Sequence, residues 1–195
     1  LHGATVVAGG AVIGPDTTLT DVEVGEGATV TRTHGSLAVI GPNASVGPFS
    51  YLRPGTRLGP TGKIGAFVET KNAEIGPRSK AAHLAYLGDA TLGADVNIGC
   101  GVIVVNYDGV KKHNSEIRDG AFIGCDSVLV SPVSIGEGAY VAAGSTIVKD
   151  VAPGDLGVAR ARQTSIEGWV ARKRPGTVSD EAARKAKGEA GVSEA

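Results

Sequence analysis

A chain of 195 residues with 42% apolar side chains is long enough for one domain with a sizeable core, plus a tail. Its formal net charge of −1 leaves no basic footprint for nucleic acid, and no apolar run approaches the roughly 18 residues that span a bilayer. The N-terminus has no signal-peptide pattern, and Cys100 and Cys125 lack metal-ligand spacing, which suits a reducing cytoplasm. Aromatics supply only 4% of residues, with 30 glycines and no methionine, so the core must be narrow and built from Val, Ile, Leu and Ala.

From the N-terminus, aliphatic residues followed mostly by small or polar ones recur at six-residue steps. The series opens at Val7, Ile13, Leu19 and Val24, and continues through Ile40, Val46, Leu52, Leu58 and Ile64. It runs on at Ile75, Ala81, Leu87, Leu92, Ile98 and Val104. An interruption over 105–116, "VNYDGVKKHNSE", holds the turn formers Asn106, Asp108 and Gly109 and is predicted to leave the repeat as an arm. The series then resumes at Ile117, Ile123, Leu129, Ile135, Val141 and Ile147. A period of six predicts an all-β fold, a parallel β-helix of hexapeptide repeats over 1–151, with roughly three hexads closing each coil. A β-sandwich, with turns every 8–12 residues or so, does not produce this period. Two steps of five, Leu19 to Val24 and Leu87 to Leu92, are short enough for a corner to absorb.

Past Val151 the series ends. Residues 152–176 are expected to form a C-terminal arm that covers the last coil, carrying Trp169 and the cations Arg160, Arg162, Arg172, Lys173 and Arg174. A short helix is predicted over 164–173, started by Thr164 or Ser165 and stopped before Pro175. Residues 177–195 are charged, nearly free of large apolar groups, and expected to be disordered.

Within "KAAHLAYLGDA", His83 fits neither a helical stripe nor simple strand alternation, so it is either a satisfied core residue or a reactive centre. Arg53 and Lys71 are eighteen residues apart (71 − 53), which puts them one coil apart on one face, at roughly 4.8 Å. Cations that close repel unless an anion lies between them. The repeat also predicts a column: Ala81, Ile98, Ile123 and Val141 begin hexads on one face, so His83, Cys100, Cys125 and Ala143 should stack two residues further on. The cysteines are expected to be free thiols, and His2, His34 and His113 surface residues.

The segments "FSYLRPGTRL", "GAFVETKNAEIG", "SKAAHLAYLGDA", "VNIGCGVIVVNYDGVKKH", "PVSIGEGAYVAAGSTIVKDV" and "GVARARQTSIEGWVARKRP" carry a family resemblance. Together they resemble the acetyltransferase half of the bacterial bifunctional enzymes that join glucosamine-1-phosphate acetyltransferase to N-acetylglucosamine-1-phosphate uridyltransferase. The resemblance runs from near Leu1 to about Pro175 and includes no counterpart of the uridyltransferase half. It implies a left-handed coil sense, a homotrimer with sites between subunits, and acetyl transfer from acetyl-CoA to glucosamine-1-phosphate, without a metal, for UDP-N-acetylglucosamine and cell-wall precursor synthesis. His83 matches the family's general base. Arg53, Lys71 and Lys112 match its phosphate ligands, and Tyr86 and Asn97 its other sugar contacts. Cys100, Asn106, Tyr107, Cys125, Ala143 and Arg160 fall where the family binds the coenzyme, with cysteine replacing the usual alanine at 100 and serine at 125. Another hexapeptide acyltransferase with a different amino-sugar acceptor, a non-catalytic β-helix module, and a γ-class carbonic anhydrase are the alternatives. The last needs three zinc-binding histidines, and His83 has no suitable histidine nearby in the sequence.

Overall fold

A six-residue spacing of aliphatic side chains builds short strands whose apolar residues all point to one axis, with a turn after each. The computed structural model describes residues 1–188, and the unit Leu1–Arg160 consists of such strands, two to seven residues long. They pair in parallel along two sheets, giving the expected left-handed parallel β-helix of about nine turns.

Inward residues stack in register on three faces. The first column is Val7, Val24, Ile40, Leu58, Ile75, Leu92, Ile117 and Ile135. The second is Ile13, Val30, Val46, Ile64, Ala81, Ile98, Ile123, Val141 and Gly157. The third is Leu19, Gly35, Leu52, Thr70, Leu87, Val104, Leu129 and Ile147. Three members, Gly35, Thr70 and Gly157, are not aliphatic, and the first two are where the sequence series breaks. A Cβ at Gly35 would lie 3.0 Å from Leu19 Cδ2 and 3.6 Å from Leu52, so its neighbours already fill the space. Thr70 is fully buried, its hydroxyl 2.9 Å from that of Thr56. Leu87 is fully buried in the same column. Leu87→Ala is expected to cost about 2–5 kcal/mol, read as a lower midpoint in denaturant unfolding.

The corner joining the second and third faces changes character along the axis. Arg32, Phe49, Phe67 and Leu84 turn it with left-handed φ of 43°, 58°, 58° and 46°. Phe49 and Phe67 are exposed and stack at 5.4 Å, so this part of the corner is a ridge. Beyond Leu84 the left-handed positions are Gly101, Asp126 and Gly144, and the ridge ends.

The repeat was expected to stop at Val151, but Leu156–Gly157 pairs with Tyr140–Val141 and adds one more strand to the second face. The chain leaves the coil between Val105, which ends one paired strand, and Ser115, which opens the next, a shorter excursion than the predicted 105–116. The arm is pinned by a bridge between Tyr107 and Lys112 and by Asp108, which accepts from the Val110 and Lys111 N–H groups and meets His113 at 2.7 Å. Those contacts, the Lys111 N–H first and His113 next, hold the Asp108 carboxyl far below its usual range.

A second unit begins at Ala161. Its helix α1 is shorter than predicted, Trp169–Lys173, because Gly168 with φ 64° breaks the chain direction just before it. The Arg174 guanidinium lies 5.2 Å over the Trp169 ring. The expectation of disorder from 177 is corrected for 177–188, where helix α2 spans Val178–Ala186. Thr177 caps it, and the buried Asp180 carboxylate accepts from Arg184 one turn on and from the Gly176 N–H. Local hydrogen bonding, rather than apolar content, specifies this helix. Residues 189–195 of the expected tail lie outside those described.

Candidate active site

His83 is the last residue of strand Lys80–His83, exposed, immediately before Leu84 turns the corner. Tyr86 opens the next strand on the third face. Ala66 pairs with His83, and the ladder continues through Cys100, Cys125 and Ala143, two residues beyond the paired Ala81, Ile98, Ile123 and Val141. The sequence column is therefore present. Cys100 is partly exposed, Cys125 exposed, and both thiols are free. The aliphatic stem of Arg160 passes Gly144, whose N–H donates to the Cys125 carbonyl, bringing that arginine to the far end of the column. Asn97 faces outward on the second face, between Lys80 and Phe122 on the adjoining coils.

Around the corner, Glu69 stacks between Tyr51 and Tyr86 on successive coils. Arg53 and Lys71 follow two residues later, one coil apart as counted, and the Arg53 N–H donates to the Thr70 carbonyl at 2.8 Å. Each cation has its own carboxylate, a solution the sequence reading missed. Arg53 meets Glu69 at 2.8 Å, and Lys71 meets Asp89 at 3.5 Å. Counting by eighteen places Glu69 opposite Tyr51, but the next coil is seventeen residues, so Gly88 is opposite Lys71 and Asp89 lies one residue further on.

Lys112, on the arm, stands against Lys71. The Lys71 amine beside it holds the Lys112 pKa below its ordinary value. Three cations thus converge beside Tyr86: Arg53, Lys71 and Lys112. Asp89 is only 8% exposed. Burial pushes its carboxyl up, but hydrogen bonds from Asn72 and Asn106 and the Lys71 charge outweigh this and hold it below its ordinary value.

Asn106 and Tyr107, expected side by side on the coenzyme, point to different places. Asn106 is buried, donating its amide to Asp89, with the Tyr86 hydroxyl at 3.5 Å. Tyr107 is 54% exposed and donates to the Gly109 carbonyl within the arm. His83 and the column of small residues lie just before the Leu84 corner, and the three cations converge on the face that follows it, with Asn106 tied into the cation cluster.

Residues 114–149 match the model of the bacterial transferase hexapeptide (six repeats). Over 186 residues the chain is 61% identical to the bifunctional protein GlmU of Pseudarthrobacter chlorophenolicus, covering 95% of this chain and 38% of that protein. The GlmU of Mycolicibacterium smegmatis is 56% identical over 189 residues, covering 97% of this chain and 39% of that one. The chain thus spans about 38% of the length of the curated relatives it matches, their C-terminal portion. The structure of Francisella novicida UDP-N-acetylglucosamine acyltransferase has a TM-score of 0.67 at 16% identity, covering 96% of this chain and 78% of that one, a likeness of fold. Coil and repeat define a hexapeptide β-helix of the bacterial transferase type. By its sequence identity the chain belongs with the C-terminal portion of bifunctional GlmU proteins.

Proposed function

We propose that the chain transfers the acetyl group of acetyl-CoA to the 2-amino group of glucosamine-1-phosphate. The observation that carries this reading is an exposed histidine ending its strand at one corner and three cations converging on the face that follows, with a small-residue column leading away from the histidine. Arg53, Lys71 and Lys112 suit a phosphate, which needs fixed positive charge. Tyr86 and Asn97 suit the sugar hydroxyls. An amine with a pKa near that of an α-amine, about 8, is mostly protonated at neutral pH and cannot attack a thioester. The amine attacks from its neutral fraction, its first proton having gone to solvent, and the His83 imidazole takes the second proton from the nitrogen as the N–C bond forms. The Cys100 N–H lies between those of Gly99 and Gly101, which are already bonded to Ile123 and Leu84 carbonyls, and is the donor assigned to the developing oxyanion. Collapse breaks the C–S bond, and the imidazolium returns the proton to the departing thiolate. Cys125, Ala143 and Arg160 border the path of the coenzyme, with Arg160 for a phosphate and Tyr107 at the arm's base.

The same reading makes the protein a cytoplasmic homotrimer in which the arm walls a site completed by a second subunit, and it requires no metal. A CoA-release assay tests it. Glucosamine-1-phosphate is expected to be strongly preferred over glucosamine and glucosamine-6-phosphate. Equal rates with unphosphorylated glucosamine would remove the substrate assignment and favour a different acceptor.

A further inference from the structure

Asp89 is a buried carboxylate to which the chemistry above gives no task. It sits in mid-strand with φ 47°, and Asn72, one coil before it, has φ 46°. Register makes a ladder of three. Lys71 pairs with Gly88 and Tyr86 with Ile103, so the next positions place Asn72, Asp89 and Asn106 on successive coils. Asp89 accepts from Asn72 Nδ2 at 2.8 Å on one side, from Asn106 Nδ2 on the other, and from Lys71 Nζ at 3.5 Å.

An ionised carboxylate only accepts, so it fixes which way both amides point: NH2 toward Asp89, carbonyl oxygen away. Asn106 is also the root of the arm, because its own carbonyl accepts from the His113 N–H at 2.8 Å where the arm returns. One carboxylate therefore holds Lys71 directly and holds Lys112, through Asn106 and the arm, at a second remove.

We propose that Asp89 is the positioning residue of the sugar-phosphate subsite, setting Lys71 and the arm-borne Lys112 for one phosphate while never touching it. The role rests on the functional reading above. It also sets the charge of the subsite: Arg53, Lys71 and Lys112 against Glu69 and Asp89 give a formal +1 (3 − 2) when all five are ionised. Without the carboxylate, two adjacent ammonium groups would face each other across a gap that only bound anion could neutralise.

The test is Asp89→Asn in the full chain, with Asp89→Glu beside it. In Asp89→Asn the KM for glucosamine-1-phosphate is expected to rise about tenfold or more while kcat changes less. The groups facing the two lysines are Arg53, Glu69, Asp89 and Tyr86, and Asp89 raises the proton affinity of both. Its removal makes a lysine lose its proton at lower pH, so the alkaline limb of kcat/KM moves to lower pH. Asp89→Glu, which keeps the charge, is expected to return that limb toward the wild-type position. A KM within twofold of wild type with an unmoved limb overturns the role, as does a Glu variant whose limb stays with that of Asn. A lysine 13Cε titration of the wild-type protein needs no folded variant. Lys112 is expected to titrate below the surface lysines and to shift upward when inorganic phosphate is added. Two ordinary, phosphate-insensitive lysine signals overturn the role. If the lysines behave as expected but the wild type does not acetylate glucosamine-1-phosphate, the functional reading fails and the positioning of the anion site stands.

Discussion

His83→Ala is expected to lower turnover by about 100-fold or more at saturating substrates while leaving the coil intact, as judged by an unchanged far-ultraviolet spectrum. The reasoning is local. His83 closes its strand at an exposed position, so truncation empties no core and opens no cavity. What is lost, on the proposed function, is the group that accepts the amine proton as nitrogen attacks the thioester. The remaining rate should rise with pH, since more of the amine is then neutral without help. Turnover within twofold of wild type would make the histidine a surface residue and move the chemistry elsewhere.

Arg53→Ala is expected to act on binding. The KM for glucosamine-1-phosphate should rise about tenfold or more with kcat largely kept, because the contact exists before the transition state. The effect is enlarged by Glu69, now paired at 2.8 Å, whose carboxylate would be left facing the incoming phosphate. Arg53→Lys should recover part of the loss, since it restores the charge but not the planar fork that Glu69 and a phosphate both use. Steady-state kinetics with the sugar phosphate varied at fixed acetyl-CoA decide it. A normal KM for Arg53→Ala would take the arginine out of the subsite and leave its salt bridge as surface decoration.

The coil was legible because aliphatic side chains in a narrow interior leave a periodic trace that no turn chemistry disguises. It failed at Gly35 and Thr70, which stand inward without being aliphatic: one where its neighbours already fill the column, the other where a second hydroxyl satisfies it. The cations and the His83 column could be found by counting along the repeat. Their carboxylates were harder. Asp89 reads as turn punctuation after Gly88, and only the continuous strand Tyr86–Leu92 reveals that its left-handed backbone aims the side chain into a ladder. The family resemblance gave both Asn106 and Tyr107 to the coenzyme, whereas the arm begins between them, with Asn106 buried and Tyr107 exposed. Helix α2 was missed for a different reason. It has little apolar surface, and its specification is a capping threonine and an internal Asp180–Arg184 bond, features that a compositional argument does not weigh.

The column that begins at His83 is also a gauge. From His83 through Cys100, Cys125 and Ala143 to Ala159 there are four inter-coil steps, or about 19 Å at roughly 4.8 Å each, before Arg160. Nothing in the inward columns depends on that total, since every coil needs only its two neighbours. A chain with one coil more or fewer between the two residues would close its core equally well and still mis-set the interval by about 5 Å. Folding therefore places no constraint on the number of coils here. On the proposed function, the length of a donor reaching from Arg160 to His83 does.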